Sequence, residues 1–133
     1  MGPKRQMTAP SLNELLMALI VSWSRDTCGL PEQWTPDNPA FRQCSVSALV
    51  IQDYLGGKIQ RFVVVDAGLD LRHVANVLPG GILLDATASQ FTTIPPYIPR
   101  SNESRADALA WRDTERRYTI LSARVHKLLI GSL

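Results

Sequence analysis

Metal-ligand clusters, nucleotide-binding glycine patterns and membrane-length apolar runs are all missing from this 133-residue sequence. It has two cysteines and two histidines, with no Cys-x-x-Cys and no His-x-x-x-His pair, which argues against a zinc site. Gly56-Gly57 and Gly80-Gly81 read as turns, without a Walker-type or dinucleotide fingerprint around them, so no cofactor is expected. The longest apolar run, Leu15 to Val21, falls far short of the roughly 18 residues that a membrane span needs. Met1-Gly2-Pro3-Lys4-Arg5 lacks the apolar core and cleavage site of a secretory signal, and Gln6 stands where a myristoylation motif wants Ser or Thr. A cytoplasmic location is therefore expected, where Cys28 and Cys44 remain thiols rather than a disulfide. A formal charge of +2 is too small to imply a nucleic-acid partner, although basic residues gather toward the C-terminus.

What is present is ordinary globular material, 45% hydrophobic and 20% charged, enough for one core and one domain over 1–133 with a flexible 1–10 segment. Ser11 and Glu14 have capping-box spacing, and Leu12, Leu15, Leu16, Leu19, Ile20 and Trp23 follow at helical intervals. Asp26 to Phe41 is rich in turn formers and reads as an ordered loop around Trp34. Cys44 to Tyr54 is a helix that is apolar nearly all round, stopped by Gly56-Gly57, and belongs in the core. Lys58 to Asp66, Arg72 to Leu78 and Ile82 to Ala86 read as antiparallel strands, the last two joined at Pro79-Gly80-Gly81. Pro95, Pro96 and Pro99 exclude a helix or a central strand from Thr92 to Ser104. One last helix is expected from Arg105 to Leu129, with Tyr118, Leu121, Val125 and Leu128 on its apolar side and its arginines mostly elsewhere.

Cys44 opens the second helix, where free N–H groups and the helix dipole favour a thiolate and can begin an oxyanion hole. A cysteine nucleophile also needs a histidine to accept its proton and a carboxylate to hold that histidine. The order Cys44, His73, Asp85 supplies them on helix, strand and strand. A three-residue loop at Pro79-Gly80-Gly81 sets Ala75 opposite Asp85 and His73 diagonal to it on the same face, whereas a two-residue loop without a bulge turns Asp85 away. His126 lies in the basic C-terminal helix without an evident partner, so His73 is the base. Candidates to complete the oxyanion hole are Asn38, Gln43, Gln33 and the Trp34 indole, with Asn38 favoured. Asn76 lies on the opposite face of its strand and is read as structural; Cys28, before the turn Gly29-Leu30-Pro31, is the weaker alternative for a reactive thiol.

Four segments together resemble the YunG-like family of small bacterial proteins. They run from Gln33 to Pro39, from Gln43 to Gly57, from His73 to Pro79 and from Asp85 to Phe91. The Cys, His, Asp order also resembles the transglutaminase-like branch of the papain-like superfamily, whose members hydrolyse or transfer amides. That resemblance implies Cys44 as nucleophile, His73 as base and Asp85 as orienting carboxylate. The sequence departs from it in the Val74-Ala75 pair after the histidine, where an aromatic residue is common, and in the short span before it.

The expectation is an α+β fold, a helix carrying the cysteine packed on a small antiparallel sheet with a papain-like or transglutaminase-like core. The function expected is a thiol-dependent hydrolase or acyltransferase acting on a peptide or small amide through an acyl-Cys44 intermediate, as a monomer or weak dimer. The competing expectation is a non-catalytic binding or regulatory protein on the same scaffold, meeting an acidic partner through the basic C-terminal helix.

Overall fold

The computed structural model describes residues 9–131; most of the 1–10 segment lies outside the described residues. Helix α1 spans Leu12–Ser22. Its capping box forms as the spacing predicts, the Glu14 N–H donating to Ser11 Oγ at 3.1 Å and the Ser11 N–H to Glu14 Oε1 at 3.0 Å. Such a cap stabilises a helix by about 1 kcal/mol. Leu15, Ala18 and Leu19 are buried, and the Trp23 indole that follows donates to Ser47 Oγ at 2.9 Å, fastening the end of α1 to the next helix.

That helix, α2, spans Cys44–Leu55 and is buried continuously from Ser45 to Ile51, as its apolar composition requires. It ends at Gly56 and Gly57, with φ of 72° and 82°. A Cβ on Gly57 would stand 2.3 Å from the Val77 carbonyl oxygen, so only glycine lets the chain pass so close to the end of the sheet.

The sheet has four antiparallel strands in the order β3-β2-β1-β4: β1 Lys58–Asp66, β2 Leu69–Val77, β3 Leu83–Leu84 and β4 Tyr97–Glu103. Strand β2 starts at Leu69, earlier than the expected Arg72, because Ala67 and Gly68 both adopt positive φ and close a two-residue hairpin between Asp66 and Leu69. Alanine is a poor signal for that turn. Strand β3 is shorter than expected because the Asp85 carboxylate accepts from the Thr87 N–H, a local turn that peels the chain off the ladder. The proline-containing segment forms the edge strand β4, with the register against β1 shifting between Gln60 and Phe62 where Pro99 stands opposite.

The single C-terminal helix that was expected is two helices, α3 Arg105–Ala110 and α4 Thr114–Gly131. Arg112 between them has φ of 50°, a left-handed break with neither glycine nor proline to announce it. The buried stripe of α4 is Thr114, Arg117, Leu121, Val125 and Leu129; Leu128 is exposed and Tyr118 only half-buried. The stripe is rotated from the expected one because Arg117 is drawn inside, donating to the Thr27 carbonyl, Thr114 Oγ1 and Asp113.

Leu15, Leu19, Val46, Val50, Leu121 and Val125 join α1, α2 and α4 in the main core. Ala48 and Leu49 press α2 onto Ile59 and Val74 on one face of the sheet, while Phe62, Val64, Ala75 and Phe91 pack on the other. Among the described residues no helix is long and apolar enough to cross a membrane.

Candidate active site

The hairpin of β2 and β3 turns on Pro79-Gly80-Gly81, with the Leu78 N–H donating to the Ile82 carbonyl at 2.8 Å. Asn76 pairs with Leu84 and Val77 with Leu83, so the three-residue register continues to Ala75 opposite Asp85. His73, two residues back on the same face, reaches Asp85 diagonally: Nε2 lies 2.7 Å from Oδ2. His73 is 2% exposed, its ring flanked edge-on by Phe91 and Tyr97 at centroid distances of 5.5 and 5.4 Å. These contacts leave the imidazole little freedom to rotate.

Asp85 is held by more than the histidine. Oδ1 accepts from the Thr87 N–H at 3.0 Å and from its hydroxyl at 3.1 Å, and Oδ2 accepts from the Tyr97 hydroxyl. Burial penalises the carboxylate, but His73, Tyr97 and Thr87 together outweigh it and hold Asp85 below its ordinary pKa. Tyr97 is shifted the opposite way, upward, by burial and by the Asp85 charge, so it stays a proton donor. Neither Thr87 nor Tyr97 was singled out in the sequence. Asp85-x-Thr87 is a legible turn signature, whereas Tyr97 arrives from beyond a proline-rich stretch without a local signal.

Because β3 pairs only with Asn76 and Val77, it leaves the adjoining part of β2 open on that side. Cys44 meets the strand there, and the His73 ring and the Val74 N–H both act on its sulfur to favour the thiolate. With Nε2 held by Asp85, Nδ1 is the nitrogen left for the sulfur. Burial opposes a thiolate, yet the His73 hydrogen bond and charge, with the Val74 N–H, bring Cys44 down from 9.0 to about 7. Burial likewise opposes the imidazolium, and Asp85 and Cys44 overcome it, raising His73 from 6.5 to about 10. Between these values the arrangement favours a thiolate–imidazolium pair.

The N-cap residue Gln43 gives α2 no side-chain cap, so the N–H groups of its first turn, which begins at Cys44, are left without a capping side chain. Cys44 is half-buried and opens onto a cleft of about 380 Å³ whose walls include Ser45, Arg72 and Trp111. The four side chains considered for the oxyanion hole do not line this cleft. Asn38 Nδ2 donates to the Gln90 carbonyl at 3.0 Å, Trp34 Nε1 to the Pro39 carbonyl at 3.1 Å, and the fully buried Gln43 donates to the Ser24 carbonyl at 3.0 Å. Gln33 is exposed in a short 3-10 turn. Asn76 has a structural bond, donating to the Ala48 carbonyl at 2.9 Å.

Both cysteines are free. Cys28 is fully buried, its thiol donating to the Phe41 carbonyl at 3.2 Å, and burial raises its pKa, the reverse of Cys44. Among the described residues no group of three or more His, Cys, Asp or Glu could hold a metal ion.

Fold and site define an α+β protein in which a helix start, a strand and its hairpin return line up a thiol, an imidazole and a carboxylate. The family model described as YunG protein matches residues 11–130, and the chain belongs to that family. Over 84 residues it is 38% identical to a Bacillus subtilis (strain 168) protein described as "Uncharacterized protein YunG". That stretch covers 62% of this chain and 66%, just under two thirds, of the relative's length. No solved structure matches the chain.

Proposed function

We propose that this protein is a thiol-dependent hydrolase or acyltransferase with Cys44 as nucleophile, His73 as acid and base, and Asp85 as the orienting carboxylate. The observation that carries the proposal is that His73, whose Nε2 lies 2.7 Å from the Asp85 carboxylate, is also the chief group lowering the Cys44 thiol at the edge of the cleft. The Cys44 thiolate attacks an acyl carbon, and the tetrahedral oxyanion is met by N–H groups of the first turn of α2. The C–N bond breaks, and the leaving amine takes the proton from the His73 imidazolium, leaving a thioester on Cys44. Neutral His73 then removes a proton from water or from an amine, which attacks the thioester; the sulfur departs as thiolate and His73 is again the imidazolium. Water gives an acid product and an amine a new amide.

The helix, strand, strand order of the three residues supports a papain-like core of the transglutaminase-like type; the reading takes a peptide or small amide as substrate, the cytoplasm as the compartment and a monomer or weak dimer as the working form. The binding-module reading draws less support, because two of the helix's arginines are engaged within the fold: Arg117 is buried and Arg124 donates to the Ser22 carbonyl and Ser24 Oγ.

The test is acylation of Cys44 by p-nitrophenyl acetate, followed by intact mass in a Cys28→Ser background. A one-acetyl increment that disappears in Cys44→Ala and slows in His73→Ala supports the proposal; no increment, or one indifferent to His73, rejects it.

A further inference from the structure

The cleft above Cys44 is lined by four arginines, Arg42, Arg72, Arg112 and Arg117, and by no carboxylate. Two of them are neutralised from outside the cleft. Arg72 is ion-paired with Glu103, and Arg117 with Asp113. The Arg42 guanidinium lies 5.7 Å from the Phe41 ring and that of Arg112 lies 5.3 Å from the Trp111 ring, and neither forms an ion pair among the described residues. Trp111 is also met by the Arg72 guanidinium at 4.7 Å, which fixes the aromatic wall between two cations.

The backbone at both uncompensated arginines is unusual. Only three described non-glycine residues have positive φ; two are Arg42 at 54° and Arg112 at 50°. Arginine has no local hydrogen bonding that favours this region, and such backbone strain collects where a side chain must be aimed at a ligand. Two separate loops thus each hold a strained arginine against the cleft that contains the thiol.

We infer that the cleft selects an anionic acyl substrate, one whose carboxylate or phosphate is gripped by Arg42 and Arg112 while its acyl carbon meets Cys44. The inference rests on the proposed thiol chemistry for its reacting atom and on the arginine pair for its specificity. Guanidinium forks match both kinds of anion bidentately, so the shared chemistry is the planar or tetrahedral oxyanion group.

The experiment uses the full chain carrying Cys28→Ser and compares alkylation of Cys44 by anionic iodoacetate and neutral iodoacetamide. In the Arg42→Gln/Arg112→Gln double variant, iodoacetate alkylation falls about tenfold, the lower end of electrostatic steering, while iodoacetamide alkylation changes less than about twofold. The Arg42→Lys/Arg112→Lys variant, which keeps the charge, retains most of the iodoacetate rate, separating charge from a general disturbance of the cleft. Inorganic phosphate and succinate are then added as competitors against iodoacetamide: slowing by the first marks a phosphoryl group and by the second a carboxylate. Slowing by neither, or equal loss of both alkylation rates in the glutamine variant, overturns the inference. A Cys44 pH profile typical of an unperturbed thiol rejects the thiol chemistry instead, and the iodoacetate-to-iodoacetamide ratio still reads the arginine pair by itself.

Discussion

His73 and Asp85 are not direct partners across their hairpin, yet Nε2 and Oδ2 stand 2.7 Å apart because the residue opposite Asp85 is Ala75, whose small side chain leaves the diagonal open. The pairing depends on the three residues of the turn at Pro79-Gly80-Gly81. Deleting Gly81 to give a two-residue turn reverses the face of Asp85. The expected outcome is a folded protein by circular dichroism in which Cys44 alkylation shows an ordinary thiol pH profile. Retention of the parent profile would mean that Asp85 does not govern the pair.

Asp85→Asn preserves shape and removes charge. Asp85 favours the imidazolium through its hydrogen bond and its charge, and both effects raise His73. The substitution therefore lowers the His73 pKa and weakens the thiolate. Acetylation of Cys44 should slow by at least about a hundredfold, since removing the carboxylate also frees the wrong tautomer. Stopped-flow release of p-nitrophenolate measures it.

Tyr97→Phe removes one donor to Asp85 and keeps the aromatic wall around His73. Losing a buried hydrogen bond to a charged group costs about 1.5–3 kcal/mol. Tyr97 lowers the Asp85 pKa, so its removal lets that pKa rise. A depressed carboxylate pKa contributes stability above its unfolded value, 3.8, which is lost as pH falls through the folded value. The deficit of the variant is accordingly full at pH 7 and fades only below about pH 4. Urea unfolding at the two pH values reads the difference.

Arg117→Ala tests whether the C-terminal helix carries its charge inward. The side chain is 5% exposed and bonded to Thr27, Thr114 and Asp113, so truncation strands the buried Thr27 carbonyl, at a cost of about 3 kcal/mol. Lys127→Ala on the same helix should change stability by less than about 0.5 kcal/mol. Equal effects would contradict the placement of Arg117.

Local patterns carried much of this architecture. The α1 cap, the span of β1, the start of α2 at Cys44 and the hairpin register all follow from spacing and turn residues close in sequence. What was not legible depends on distant contacts or on residues adopting conformations they seldom take. Ala67 takes positive φ before Gly68, which tightened the first hairpin and moved the start of β2 to Leu69, and Arg112 has positive φ with no glycine or proline beside it, which hid the break before α4. Arg117 reads as a surface charge until Thr27 and Thr114 are known to receive it. Tyr97 reaches Asp85 only because β4 crosses to the far side of β1, and no periodicity within either segment encodes that crossing. Likewise Arg42 and Arg112, far apart in the chain, become neighbours of Cys44 only after folding.

The most direct measurement is the pH dependence of Cys44 alkylation by iodoacetamide in a Cys28→Ser background, with and without His73→Ala. The lowering of Cys44 comes chiefly from His73, so the parent rate should rise through about pH 7. Removing His73 leaves burial to dominate and moves the inflection to 9.0 or above. A parent inflection near that ordinary thiol value, unmoved by His73→Ala, would contradict the thiolate–imidazolium pair and the catalytic reading built on it.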